Sequence, residues 1–378
     1  MPSSTPPSGM PRWPSAWAAS APLPGPIRSR NSPPSASSRS ASSPRWCRWR
    51  ISASTDRTGP RARKAAESPA FPLHSRRMTD SARAPLVICL GHLVADHTFW
   101  VEDIPQPPAK AVARRYSLGV GGLAANAAIA VARLGGRVRF WGRIGDDRNG
   151  STLAAELGGF GVDVSAIRVA PGARTPVSSV LLDPVGERVI FAFRGEGLDL
   201  DPDVLPMETL GEAGALLCDP RWPRAAEVAL RRARALGVPS VLDAEKSEAR
   251  LLAALVPLAD HAIFSQPGLQ IFAPGVTPAE GLRRALAAGA RLAAVTRGEH
   301  GTLWLTEGME KPFETPAFPV EATNTAGAGD VFHGAYALAL AEGLPLPETM
   351  RFASAAGALR AQDGVTPDRA EVEALLRG

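Results

Sequence analysis

Residues Glu321 to Leu340 read EATNTAGAGDVFHGAYALAL. Four small residues, Ala326, Gly327, Ala328 and Gly329, run into Asp330, and an apolar helical period follows. The pattern predicts a helix whose first turn is left open for something to come very close to the backbone. A helix start has unpaired N–H groups and partial positive charge. Residues without bulk let an anion reach those donors, and phosphate oxygens suit the place. Asp330 then has two readings. It either stabilises the helix dipole, or it is a general base taking a proton from a hydroxyl that attacks phosphorus.

Upstream, SLGVGGLAANAAIAVARLGG (Ser117–Gly136) is a second glycine-rich helix start. Gly119, Gly121 and Gly122 precede a helix bearing Asn126, and Gly135-Gly136 is a stop signal. GVGGLA matches the dinucleotide fingerprint G-x-G-x-x-A. A nicotinamide loop should directly follow the first parallel strand, however, and here that strand ends at Gly91. The glycines better suit a polyol lying against the backbone, with Asn126 offering both donor and acceptor. Asp96 follows the first strand, at the edge where ligands of open α/β sheets bind. It reads either as a turn former or as an acceptor for sugar hydroxyls. Late in the chain, VTRGEHG puts Thr296, Gly298 and Gly301 in a strand-turn-strand.

Between these motifs, apolar strand-like runs such as LVICLG, ALLCDP and HAIFSQ alternate with helical ones. Strands apolar on both faces predict a doubly wound α/β fold, its mostly parallel sheet covered by helices on both sides. Two segments break the beat, near 98–117 and 175–195. Their alternating polarity predicts a small β-sheet lid outside the main layer, the second segment a hairpin turning at Pro184 to Glu187.

The chain has 378 residues and a formal charge of +5. That charge is unevenly placed. Residues 1–77 hold thirteen Lys and Arg against Asp56 and Glu67, while the remainder holds twenty-nine basic and thirty-five acidic residues. A mildly acidic body argues against a broad nucleic-acid surface. The first 77 residues, rich in Ser, Pro and Arg, predict a disordered tail. A transit peptide and an upstream extension ahead of a start at Met78 are the other readings; the folded body is 78–378. No apolar run predicts a membrane span or a secretory leader, so a cytoplasmic protein is expected. Cys89 and Cys218 lie in apolar runs and read as buried thiols; Cys47 lies in the tail.

GGLAANAAIAVARLGGRVRFWGRIGDDRNG, VTRGEHG and NTAGAGDVFHGA, in this order, resemble the signature regions and nucleotide turn of the ribokinase-like (PfkB) carbohydrate kinases. The likeness spans about Leu86 to Leu376. It implies ATP and Mg²⁺ as cofactors. It also implies Asp330 as base, and an anion hole at Ala326, Gly327, Ala328 and Gly329. Sugar contacts are implied at Asp96, Gly121, Gly122 and Asn126, and an ATP side at Thr296, Gly298, Gly301, Asn324 and Ser265. PAKAVARRY, CDPRWPRAAEVA, SVLDAE and DHAIFSQPGL look closest to the sulfofructose kinase branch, with ketohexokinases next. In that branch Lys110, in a lid strand, and Arg221 would bind the anionic end of the sugar.

Three departures stand out. Asn324 replaces the family's usual Asp, which puts a monovalent-cation role there in doubt. SQPGL (Ser265–Leu269) lacks the Asn and Glu that organise Mg²⁺, so ATP phosphates and water must hold the metal. Ala192 stands where the sulfofructose branch offers an amide. A nucleoside kinase of the same fold, or a sugar-binding regulator, is the alternative reading. A dimer through the lid is an expectation as well.

Overall fold

The computed structural model describes residues 84–106, 109–184 and 187–378. The Ser/Pro/Arg-rich tail and Cys47 lie outside the described residues. Elements are numbered in chain order. The main sheet has nine strands. They run β13 (Phe313–Thr315), β12 (Thr302–Thr306), β11 (Leu292–Thr296), β10 (His261–Ser265), β9 (Ser240–Ala244), β8 (Ala215–Cys218), β1 (Leu86–Gly91), β4 (Arg137–Gly145) and β5 (Ile167–Ala170). From β11 to β5 every pairing is parallel, while β12 and β13 are antiparallel.

The strand period shows why this sheet carries helices on both faces. Along β1, Val87 and Cys89 face one core, and Leu86, Ile88 and Leu90 face the other. Burying Ile88 or Leu90 contributes about 1.5–3 kcal/mol each relative to exposure. The first core is covered by α1 (Leu123–Arg133), α2 (Arg148–Gly159), α7 (Ala328–Ala341), α8 (Leu346–Asp363) and α9 (Arg369–Arg377). The second is covered by α3 (Pro223–Leu236), α4 (Ala249–Leu255), α5 (Gln266–Phe272) and α6 (Pro278–Ala288). The stop read at Gly135-Gly136 is a Schellman turn: the Gly136 N–H bonds Val131 O, and the Gly135 N–H bonds Ala132 O.

The off-beat segments form a separate four-stranded sheet, ordered β3 (Arg115–Gly121), β2 (Val94–Trp100), β6 (Val177–Leu182), β7 (Arg188–Phe193). β2 pairs antiparallel with β3 and parallel with β6, and β6–β7 is the expected hairpin. Among the described residues no helix is long and apolar enough to cross a membrane.

Candidate active site

α7 starts at Ala328, with Gly327 at its N-cap in the left-handed conformation, φ 74°. Bare amides were expected from Ala326 to Gly329, but two of these N–H groups are occupied. The Ala326 N–H donates to Asn324 Oδ1 at 3.1 Å, and the Ala328 N–H to Thr325 O at 3.3 Å. The first helical bond runs from Val331 N–H to Gly327 O, so the N–H groups of Gly327, Gly329 and Asp330 have no acceptor among the described residues. These three are the donors left for an anion.

Asp330 is buried in that first turn. Its Oδ2 accepts from Asn126 Nδ2, in α1, at 2.7 Å. Burial, and then the Asp243 carboxyl, push its pKa up to about 7, against the opposing pull of Asn126 and His333. A carboxylate placed there is strongly basic for an aspartate while still ionised near neutrality, which is what a general base needs. Behind it, His333 Nδ1 donates to Gly329 O at 2.7 Å, and the same nitrogen lies 3.4 Å from Asp243 Oδ2. Burial holds Asp243 protonated well above the usual carboxylate range and His333 below the usual imidazole range. Asp243 and His333 carry no motif of their own. Asp243 was legible only as the first of the two acids in VLDAE.

α1 begins against the end of β1. Its N-cap, Gly122, has φ 108°, and a β-carbon there would lie 2.1 Å from His92 O. At Gly121 a β-carbon would lie 2.1 Å from Asp96 Oδ2, so the Asp96 carboxylate rests on bare backbone. Asp96 sits within β2, which settles its turn-former reading in the negative. Burial raises its pKa, opposed by a Ser178 hydroxyl and by His97. Missed in the sequence was Asp219, just past β8 and fully buried. It accepts from the N–H groups of His92 (2.8 Å), Ala124 (3.2 Å) and Arg221 (2.8 Å), pinning β1, α1 and the CDPRW turn together.

Three guanidiniums gather at this end. Arg143, on β4, lies 4.5 Å over the Trp222 ring and donates to Arg221 O at 3.2 Å. Arg221 donates to Lys246 O at 3.0 Å. Arg194, just past β7, has no acid partner among the described residues. All three act on His92. Burial lowers its pKa to about 4, Asp219 opposes this, and Arg143, Arg221 and Arg194 add to it. Lys110 corrects an expectation: it is exposed and lies between β2 and β3, outside any strand.

On the other side, Thr296 ends β11 and its hydroxyl reaches Phe264 O at 3.4 Å. Gly298 and Gly301 occupy the turn into β12. Gly301 has a structural reason as well, since a β-carbon there would lie 2.2 Å from Thr315 O. Ser265 caps α5 by accepting the Gly268 N–H, and its hydroxyl lies 3.4 Å from Glu245 Oε2. No cluster of three or more His, Cys, Asp or Glu among the described residues has metal-ligand geometry.

A family model described as "pfkB family carbohydrate kinase" matches residues 84–368. Fructokinase-1 of Zea mays is 30% identical over 305 residues, covering 74% of this chain and 92% of that one. Ribokinase of Bacillus subtilis is 30% identical over 267 residues, covering 68% and 87%. The structure of Arabidopsis thaliana ribokinase complexed with ribose and ATP superposes with a TM-score of 0.69 at 26% identity, covering 78% of this chain and 99% of that one.

Proposed function

The chain belongs to the pfkB family of carbohydrate kinases, and on that footing we propose that it transfers the γ-phosphoryl group of ATP to a primary hydroxyl of a ketose. The observation that carries this reading is the Asn126–Asp330 hydrogen bond. It joins the glycine-rich start of α1 to the start of α7 with its free amides. Asp330 takes the hydroxyl proton, and the oxygen attacks phosphorus in line. The N–H groups of Gly327, Gly329 and Asp330 meet the charge spreading over the phosphoryl oxygens. Mg²⁺ neutralises the phosphates when bound. The donor set here fits an ion held by phosphate oxygens and water rather than by a protein cage. The ATP side is assigned to Thr296, Gly298, Gly301, Asn324 and Ser265, and the sugar side to Asp96, Gly121, Gly122 and Asn126.

The finer reading is a ketose with an anionic far end, a sulfonate or a phosphate. What supports it is the gathering of Arg143, Arg194 and Arg221 around His92. Lys110 stays in this reading only as an arm of the lid connection. Turnover on fructose, fructose 6-phosphate, sulfofructose, ribose and adenosine tests it. An anionic ketose is expected to be preferred, and Arg194→Ala with Arg221→Ala to erase about 10²-fold or more of that preference. Best turnover on adenosine would instead favour the nucleoside reading, and no ADP release with any acceptor the binding-protein reading. A cytoplasmic homodimer through the lid belongs to the same proposal, supported by the exposed Ile190, Phe191 and Phe193 on β7. The same preparation should sediment at twice the chain mass.

The base makes a pH prediction. Asp330 must be ionised to act, so kcat/KM falls below about pH 7, with unit slope. Asn126→Ala removes a hydrogen bond that favours the carboxylate, so its acid limb moves to higher pH. A limb that stays near pH 4 in the native protein would remove Asp330 from this role.

A further inference from the structure

Arg360 lies on α8, where its guanidinium is wedged against the loop that precedes α7. A β-carbon at Gly327 would lie 3.3 Å from its Nη2 and 3.5 Å from its Nε. At Gly364, just past α8, a β-carbon would lie 3.0 Å from Nη1 and 2.4 Å from Asn324 Nδ2. Backbone bonds lock the two segments together. The N–H groups of Thr323 and Asn324 both donate to Ala361 O, at 3.1 and 3.0 Å, and the Thr323 hydroxyl donates to Gln362 O at 2.5 Å. The cation is therefore held in place by main chain on both sides.

Its polar surroundings are unfinished. Nη1 is buried and has no hydrogen-bond acceptor among the described residues. No carboxylate among them lies within ion-pair distance; Asp330 and Asp363 act on it only through space. Asn324, whose side chain also reaches Gly364, is neutral and turns its carbonyl oxygen to Ala326. An aspartate at 324 would cancel the guanidinium. A half-buried guanidinium with one buried, unpartnered nitrogen is costly unless a negative charge comes to it, and arginine cannot shed its proton to escape. A phosphoryl group is the anion that the neighbouring free amides are built to take.

We propose that Arg360 is the fixed cation of the anion loop, a positioning residue that holds Gly327 and Asn324 in the phosphate-receiving conformation and lends the loop a full positive charge. This rests on reading that loop as the phosphoryl site. Because the charge is covalently attached, the reaction needs no dissolved monovalent cation. Arg360 also bears on the base. The groups facing Asp330 are Asn126 from α1, Asp219 past β8, Asp243 from β9, His333 on α7 itself and Arg360 from α8. Arg360 is the permanent cation in that set, so losing it makes Asp330 harder to ionise.

The test uses the full chain with Arg360→Met and Arg360→Lys, ATP, and the fastest acceptor from the panel above. Wild-type turnover is expected to be equal in potassium, sodium and tetramethylammonium chloride. Arg360→Met should lose about 10²-fold in kcat, with its acid limb moved to higher pH, and should regain turnover on adding guanidinium or K⁺. Arg360→Lys should keep most of the activity and the native limb. A purely structural arginine would lower the amplitude and leave the limb in place. An unmoved limb in Arg360→Met, or a wild type that requires K⁺, overturns the proposal. If the Met variant does not fold, the Lys variant and the wild-type salt series decide. Normal turnover in Asp330→Asn would sink the base reading instead, and an inactive Asp330→Asn beside an unmoved limb sinks this proposal alone.

Discussion

Asp330→Asn is expected to lose about 10²–10⁴-fold in kcat with ATP affinity unchanged, the range that general-base assistance supplies. The substitution keeps the shape of the side chain and an oxygen for Asn126 Nδ2, which now sits 2.7 Å from Asp330 Oδ2. It leaves the free amides of Gly327 and Gly329 where they are, so nucleotide binding should survive. Stability gives an internal control, and its sign can be worked out. The folded pKa of about 7 is raised above the ordinary 3.8, chiefly by burial and by Asp243. A raised folded pKa means that the native state favours the protonated acid. Its contribution to stability is full below the unfolded pKa and is lost as pH rises through the folded one. At pH 8 the native protein therefore carries an unfavourable buried charge that the amide lacks. Asp330→Asn should melt no lower than the native chain at pH 8, and its advantage should vanish near pH 4. A variant that is both slow and unstable at pH 8 would point to a folding defect; near-normal turnover would remove Asp330 from the role of base.

Much of this fold is written in local pattern. The two-faced apolar strand LVICLG could only be a central strand with helices on both sides, and Leu86 to Gly91 is flanked by parallel β4 and β8. The Gly-Gly stop after α1 and the small residues ahead of α7 are likewise local signals, because helix ends use main-chain geometry that only certain residues allow. What was hidden is of another kind. Asp219, Asp243, His333, Arg143, Arg194 and Arg360 matter through partners far away in the chain. Asp219 bonds residues 127 and 95 positions upstream, and no periodicity records such a pairing. The two occupied amides in the anion loop were hidden for the opposite reason. Asn324 and Thr325 fold back on Ala326 and Ala328 over two or three residues, a choice of turn that the composition TNTAGAG leaves open. Lys110 shows the limit of transferring a residue by motif: the surrounding PAKAVARRY is there, but the strand begins only at Arg115.

Gly122→Ala should be among the costliest single methyl additions on the sugar side of the site. The position has φ 108°, and its new β-carbon would meet His92 O at 2.1 Å and the His92 carbonyl carbon at 2.8 Å. Both obstacles are main chain, so no rotamer change relieves them. Backbone strain and overpacking each cost about 1–3 kcal/mol, and here they act together. The consequence reaches the chemistry, because Gly122 is the N-cap of α1. If the helix start is pushed off the end of β1, Ala124 moves from Asp219 and Asn126 from Asp330, and the sugar and phosphoryl ends no longer meet. The expected result is an unfolding free energy lowered by about 2–6 kcal/mol, read from the urea midpoint, with kcat/KM for the sugar falling far more than ATP affinity. Gly135→Ala, at the other end of the same helix, is the control. Its φ of 84° is also left-handed, but nothing lies within 4 Å of the added carbon, so it should cost only about 1–2 kcal/mol and leave kinetics alone. Equal costs at the two glycines would mean that the collision with His92 is relieved by a shift of the loop, and that α1 is not clamped to β1 as tightly as the Asp219 bonds require.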